Sequence, residues 1–186
     1  MNVRASNAAR RVDAAGLEAF LLRIAQERPL EDFVYLCIGT DRSTGDSLGP
    51  IVGTLLEERG FARVIGTLKE PCDADRLPML AGALASEGAA IVAIDACLGR
   101  PESVGAYLVA EGPLTPAQSV GRGFPPIGDY SVAAIVNEIG PKPYYTLQTT
   151  SLNRVIGMAE MIADTLGRVR AQSNPFHIQP TIIPSR

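Results

Sequence analysis

The chain has no tryptophan, one histidine (His177), two lysines (Lys69 and Lys142) and three cysteines, and these shortages remove several chemistries at once. A lone histidine in a proline-bearing tail leaves a Ser–His–Asp or Cys–His mechanism without a well-placed base, and it excludes a histidine-rich metal site. The lysines show no spacing that supports a Ser–Lys dyad. Cys37, Cys72 and Cys97 are spaced like neither a zinc site nor a disulfide framework, so reduced, mostly buried thiols in a cytoplasmic protein are expected. No apolar run approaches the roughly 20 residues that span a bilayer. The arginine-bearing start is not followed by the apolar core of a signal peptide, so none is expected. The 17 basic and 20 acidic residues nearly balance, and the basic ones are scattered. Neither a nucleic acid nor a membrane is therefore an expected partner.

What is present fits one α/β domain. A chain of 186 residues with 46% hydrophobic content can bury a substantial core. A single domain is expected over residues 1–186, with 1–12 and 172–186 as flexible tails. From Asp13, the apolar positions Leu17, Phe20, Leu21 and Ile24 predict a helix that stops before Pro29. Val34–Ile38 is an apolar run bounded by Gly39, which predicts a buried strand. A polar loop with Asp41 and Asp46 follows. Ser47 or Asp46 can then cap a helix in which Pro50 suits the first turn and Leu48, Ile51, Val52 and Leu55 repeat at helical spacing.

Arg63–Leu68 predicts a second strand, and the loop 69–75 leads to a helix over Arg76–Ser86. Ala89–Ile94 is the second wholly apolar run, read as a central parallel strand that delivers Asp95 at its carboxyl end. Val104–Ala110 predicts an antiparallel strand. The proline- and glycine-rich stretch Glu111–Pro126 predicts a long surface loop of the kind that covers a site. Asp129 stands where a cap would precede a helix carrying Val132, Ile135, Val136 and Ile139. Tyr144–Gln148 predicts a last strand, and Ser151 a cap for a final amphipathic helix. Strands alternating with helices predict a three-layer α/β/α sandwich on a mostly parallel sheet.

The sharpest chemical pattern is Asp46 with Asp95, each just past an apolar strand. If those strands are neighbours, both carboxyls reach the ligand edge of an open sheet. Two facing carboxyls share a proton, so one can activate water while the other donates to a carbonyl. The same pair can instead hold magnesium, calcium or manganese through oxygen, or be an ordinary cap and an ordinary turn residue. Gly39–Gly45 matches neither a dinucleotide fingerprint nor a P-loop, and Asp46 in place of a P-loop lysine would repel phosphate. Arg42 is read as a partner of Asp41 or Asp46, or as a holder of a peptide carbonyl or carboxylate. Cys97 is a small buried residue or a reactive thiol. Asp129 is a cap, or completes the site beneath the long loop.

The strings Cys37–Pro50 (CIGTDRSTGDSLGP), Ile94–Gly99 (IDACLG), Ile127–Asp129, Ile135–Asn137 and Leu147–Leu152 resemble the YyaC-type sporulation proteins, over about Phe33 to Leu166. Those proteins are similar to the spore germination protease and, more distantly, to the hydrogenase maturation proteases of the phosphorylase/hydrolase-like fold. The resemblance implies a sporulation-linked endopeptidase of the cytoplasm or forespore, with Asp46 and Asp95 as the catalytic pair. Gly39, Thr40, Asp41, Arg42, Ser47, Cys97 and Asp129 are then expected around the substrate. In the hydrogenase enzymes the matching acidic positions contact nickel beside a histidine. Nothing from Gly99 to Pro143 is histidine here, so neither a metal nor another cofactor is expected. A protein or peptide substrate is the expected partner, and a homo-oligomer stays open. A catalytically silent peptide-binding or regulatory module is the rival reading, and a metal-dependent maturation protease a weaker one.

Overall fold

The computed structural model describes residues 9–116 and 124–173. Its elements in chain order are β1 (Arg10–Val12), α1 (Ala14–Glu27), β2 (Phe33–Cys37), α2 (Leu48–Glu58), β3 (Val64–Ile65), α3 (Leu77–Glu87), β4 (Ala90–Gly99), β5 (Tyr107–Glu111), β6 (Tyr130–Glu138), α4 (Pro143–Gln148) and α5 (Leu152–Ser173). The six strands form one sheet in the order β1-β5-β6-β4-β2-β3. The four strands β6, β4, β2 and β3 run parallel, and β5 and β1 close the β6 side antiparallel. Leu17, Phe20, Leu48, Val52, Val155 and Ile162, from α1, α2 and α5, belong to one apolar core against the sheet. Leu77 and Leu84 of α3 belong to a second, smaller core that holds Ile91 and Ala93 of β4. The chain is thus a three-layer α/β/α sandwich on a mostly parallel sheet. No helix among the described residues is long and apolar enough to cross a membrane.

Local chemistry accounts for most boundaries. Asp13 caps α1 by accepting the Gly16 N–H at 2.9 Å. Gly88 ends α3 in the left-handed conformation that glycine adopts without strain. β2 is buried along its whole length, as a run without polar alternation requires in a parallel sheet.

The structure differs from the sequence expectation in several elements. Residues 10–12 are not a frayed tail: they pair with Tyr107–Val109 of β5 as an edge strand. α5 extends to Ser173, and residues 1–8 and 174–186 lie outside those described. β3 holds only Val64–Ile65, because Gly66 turns the chain at φ +93°. Residues 130–138 form a strand, not a helix. Val132, Ile135 and Val136 fit either periodicity, and burial on both faces between β4 and β5 settles it. Residues 143–148 form a short helix, not a strand, with Pro143 in the first turn and the Thr146 N–H donating to the Lys142 carbonyl.

Asp129 therefore caps no helix. Its N–H donates to the Ile91 carbonyl and its Oδ2 accepts the Ile91 N–H, both at 2.9 Å, which pins the amino ends of β4 and β6 together. Replacing it by alanine leaves the Ile91 N–H unpaired. Asp129→Ala is expected to lower unfolding free energy by about 1–3 kcal/mol. Urea unfolding at pH 7 measures it, and an unchanged midpoint would remove this assignment.

Candidate active site

β2 leaves the sheet at a defined point. The Ile38 N–H donates to the Ile94 carbonyl at 2.8 Å, and the Gly39 N–H then turns to the Cys72 carbonyl at 3.0 Å. Gly39 has φ +146°, and a Cβ there would stand 2.0 Å from the Asp46 carbonyl oxygen, so only glycine fits. The following loop folds back on itself, with the Thr40 N–H donating to that same Asp46 carbonyl at 3.1 Å. Asp46 sits in the short 3-10 turn Gly45–Ser47 that opens α2. Gly45 packs directly against Leu147, so α4 lies over this turn.

Asp95 is the first residue of β4 beyond the last β2 partner, since Cys37 pairs with Ile94. Both aspartates are half-buried and line one cavity of about 780 Å³ at the carboxyl edge of the sheet. Asp95 Oδ1 accepts the N–H of its own neighbour Ala96 at 2.8 Å. A proton on this carboxyl therefore resides on Oδ2.

The electrostatics separate the two groups. Burial pushes the Asp95 carboxyl up to about 8, the Ala96 N–H opposes the shift, and the Asp46 charge adds to it. Burial also raises Asp46, against an opposing contribution from the Ser43 hydroxyl nearby. That hydroxyl favours the charged carboxylate without reaching a full hydrogen bond, and Ser43 Oγ is buried with no partner. At neutral pH burial thus favours the protonated form of Asp95. Burial raises the Cys97 thiol to about 12, with the Asp95 charge adding. Cys97 is thus a neutral thiol in the cavity wall, not the reactive thiolate that its position allowed.

The remaining expected residues divide. Gly39, Thr40, Arg42 and Cys97 line the cavity with the two aspartates. Asp41 is exposed and outside the lining. Ser47 is buried, donates its hydroxyl to the Thr44 carbonyl at 2.7 Å and makes no side-chain cap bond. Asp129 lies four positions back along β4 at Ile91, about 13 Å from Asp95 at the strand rise. It belongs to the opposite edge of the sheet. Arg42 pairs with neither Asp41 nor Asp46: its Nη2 donates to Asp73 Oδ2 at 2.8 Å.

Sequence reading missed Asp73 and Asp75 on one wall and Ile139, Pro143, Tyr144 and Leu147 on the other. Asp73 Oδ1 accepts the N–H groups of Asp75 and Arg76 at 3.1 Å. An aspartate a few residues before an apolar helix was the available signal. Leu114 and Thr115, from the long loop, also line the cavity. Residues 117–123 of that loop, like His177, lie outside those described. Among the described residues no three His, Cys, Asp or Glu side chains are arranged to hold a metal ion. The carboxyls lining the cavity are those of Asp46, Asp73, Asp75 and Asp95, and no histidine among the described residues joins them.

Comparison with known proteins agrees with this architecture. The fold is similar to that of a NiFe hydrogenase maturation protease, HycI from Thermococcus kodakarensis, with a TM-score of 0.57 and 18% identity over 81% of this chain and 97% of that one. The family described as "Protein of unknown function (DUF1256)" matches residues 6–165, and the chain belongs to it. The protein described as uncharacterized protein YyaC of Bacillus subtilis is 42% identical over 149 residues, which cover 78% of this chain and 71% of YyaC.

The Asp95 shift has a signed consequence for folding. Its folded pKa lies above the unfolded value of 3.8, so between pH 4 and 8 the native state binds more protons than the unfolded one. Its contribution to stability is greatest below pH 4 and falls as pH rises to 8. Asp95→Asn removes that loss. Thermal melts of both proteins from pH 4.5 to 8.5 are expected to show the variant gaining on wild type as pH rises, and a constant gap would contradict the assignment.

Proposed function

We propose that the chain is an endopeptidase that hydrolyses peptide bonds with an aspartate pair and acts in sporulation, in the cytoplasm or forespore. The observation that carries the hydrolytic reading is the placement of Asp46 and Asp95 in one cavity, where burial raises both carboxyls. The sporulation setting rests on the resemblance of the Cys37–Pro50 and Ile94–Gly99 strings to the YyaC-type proteins, and the peptidase fold of HycI is consistent with the activity.

The chemistry follows from the two protonation states. The Asp46 carboxylate takes a proton from a water molecule as that water's oxygen bonds to the scissile carbonyl carbon. Asp95 Oδ2–H donates its proton to the carbonyl oxygen, giving a neutral tetrahedral diol, and the roles are now reversed. Asp46 then protonates the leaving nitrogen while Asp95 recovers a proton from the diol as the C–N bond breaks. Two neutral products leave and the pair returns to its starting state. Burial raises both carboxyls above their ordinary range.

Asp46→Asn removes the base and Asp95→Asn removes the acid, so each is expected to lower kcat by about 10²–10⁴-fold with folding intact. Cleavage is read as new N-termini in a spore-protein extract treated with wild type or variant. Wild type that produces none, across that extract and a broad peptide panel, would reject the enzyme in favour of a silent binding module.

A further inference from the structure

β4 is longer than the strand beside it. β2 pairs only with Ala90–Ile94, whereas β6 follows β4 as far as Gly99, with a register shift between Cys97 and Leu98 that skips Val136 on β6 and leaves β4 continuous. From Asp95 to Gly99, one edge of β4 is therefore in the ladder with β6 and the other faces the cavity. Two hydrogen bonds fix which backbone groups face which way. The Ile94 carbonyl accepts from Ile38, so even-numbered residues turn toward β2; the Gly99 carbonyl accepts from the Ile139 N–H at 2.7 Å, so odd-numbered ones turn toward β6. Main-chain groups alternate sides along a strand. Ala96 and Leu98 thus direct theirs to the cavity, which both residues line. The Ala96 N–H is taken by Asp95 Oδ1, which leaves the Ala96 carbonyl and both main-chain groups of Leu98 facing it. A continuation of β2 would have filled this place, and the turn at Gly39 carries the chain away.

The far end of this edge is apolar. Ile139 and Tyr144 line the cavity and are 64% and 51% exposed. Ile139 directly follows Glu138, the partner of Gly99, which sets it about 13 Å or more along the strand direction from Asp95. The Ile139 N–H is bonded and Pro141 and Pro143 stiffen the segment after it, so these side chains stand on a prepared backbone. Two large apolar side chains are thus held beside the cleft with most or half of their surface open to a ligand.

We propose that an extended peptide binds by adding as a strand to the open edge of β4 at Ala96–Leu98, with one apolar side chain against Ile139 and Tyr144 and a peptide bond over Asp46 and Asp95. That this peptide is a substrate rests on the endopeptidase reading; the mode of docking does not. Main-chain hydrogen bonds supply affinity in such a mode and side-chain pockets at alternate positions supply selectivity. The ligands are therefore unfolded or extended segments. A helix, or a proline where the edge needs an N–H, is refused.

The test uses the full chain carrying Asp46→Asn and fluorescein-labelled, threonine-rich decapeptides with a single tyrosine that fixes the register. Each peptide amide is N-methylated in turn, and binding is read by fluorescence anisotropy. Methylation is expected to weaken binding about tenfold at alternate positions and to leave the intervening ones nearly unchanged, as loss of one hydrogen bond predicts. Ile139→Asp and Tyr144→Asp are each expected to weaken the tyrosine peptide about tenfold. No binding, or losses without the two-residue period, would overturn the docking mode. The same peptides are offered to wild type for cleavage. Periodic binding without cleavage keeps the docking mode and rejects the enzyme, and cleavage without the period does the reverse.

Discussion

Backbone lies against backbone where β2 ends, and the site depends on that. A Cβ at Gly49 would stand 2.0 Å from the Ile38 carbonyl oxygen, one at Gly53 2.0 Å from that of Gly66, and one at Gly66 1.9 Å from that of Cys37. With the same constraint at Gly39, the first turns of α2, the end of β3 and the Asp46 loop all press on the last residues of β2 with no side chain between them. The strand has nowhere to continue, and the loop must pass over the sheet edge to reach α2. That passage delivers Asp46 to the level where β4 presents Asp95, and it leaves the β4 edge uncovered.

Two half-buried carboxyls at that edge cost stability, because burial disfavours their charge and only the Ala96 N–H and the nearby Ser43 hydroxyl offset it. The opposite face of the sheet carries the compensation. Tyr35 packs edge-on to Phe61 with centroids 5.1 Å apart, Arg170 covers the Phe61 ring at 4.0 Å, and Phe33 meets Tyr130 at 5.7 Å. These aromatic contacts join the core formed by α1, α2 and α5, away from the cavity. The stabilising aromatic packing and the buried carboxyls thus lie in different parts of the sheet.

Sequence alone showed the layer order and both apolar strands, because β2 and the first half of β4 are runs that only a buried parallel strand accommodates. It also showed that Asp46 and Asp95 follow those strands, and strand adjacency then places them together. It did not show β6, whose Val132, Ile135 and Val136 suit a helical face as well as a strand buried on both sides. Nor did it show α4, where Tyr144 and Tyr145 favour a strand by propensity and Pro143 starts a helix. Those two errors hid the wall of the cavity formed by Ile139, Tyr144 and Leu147. The Arg42–Asp73 ion pair was hidden for another reason: it joins residues 31 positions apart, and charge pairing across loops leaves no periodic trace.

An unpaired strand edge invites association between copies, and the sheet handles its edges differently according to where they lie. Outermost on one side, β1 is three residues long and carries Arg10 and Arg11, both exposed, which repel another edge. Outermost on the other, β3 has only Val64 and Ile65 to offer. The open stretch of β4 is also short, but it lies inside the cavity, which residues of the Thr40–Ser43 loop and of α4 also line. Asp95 adds the last restriction, because its Oδ1 already occupies the Ala96 N–H and so removes one donor from the edge next to the reacting position. In the proposed docking mode and the proposed mechanism, the group that limits the edge is also the group that holds the proton, so the two proposals meet in one carboxyl.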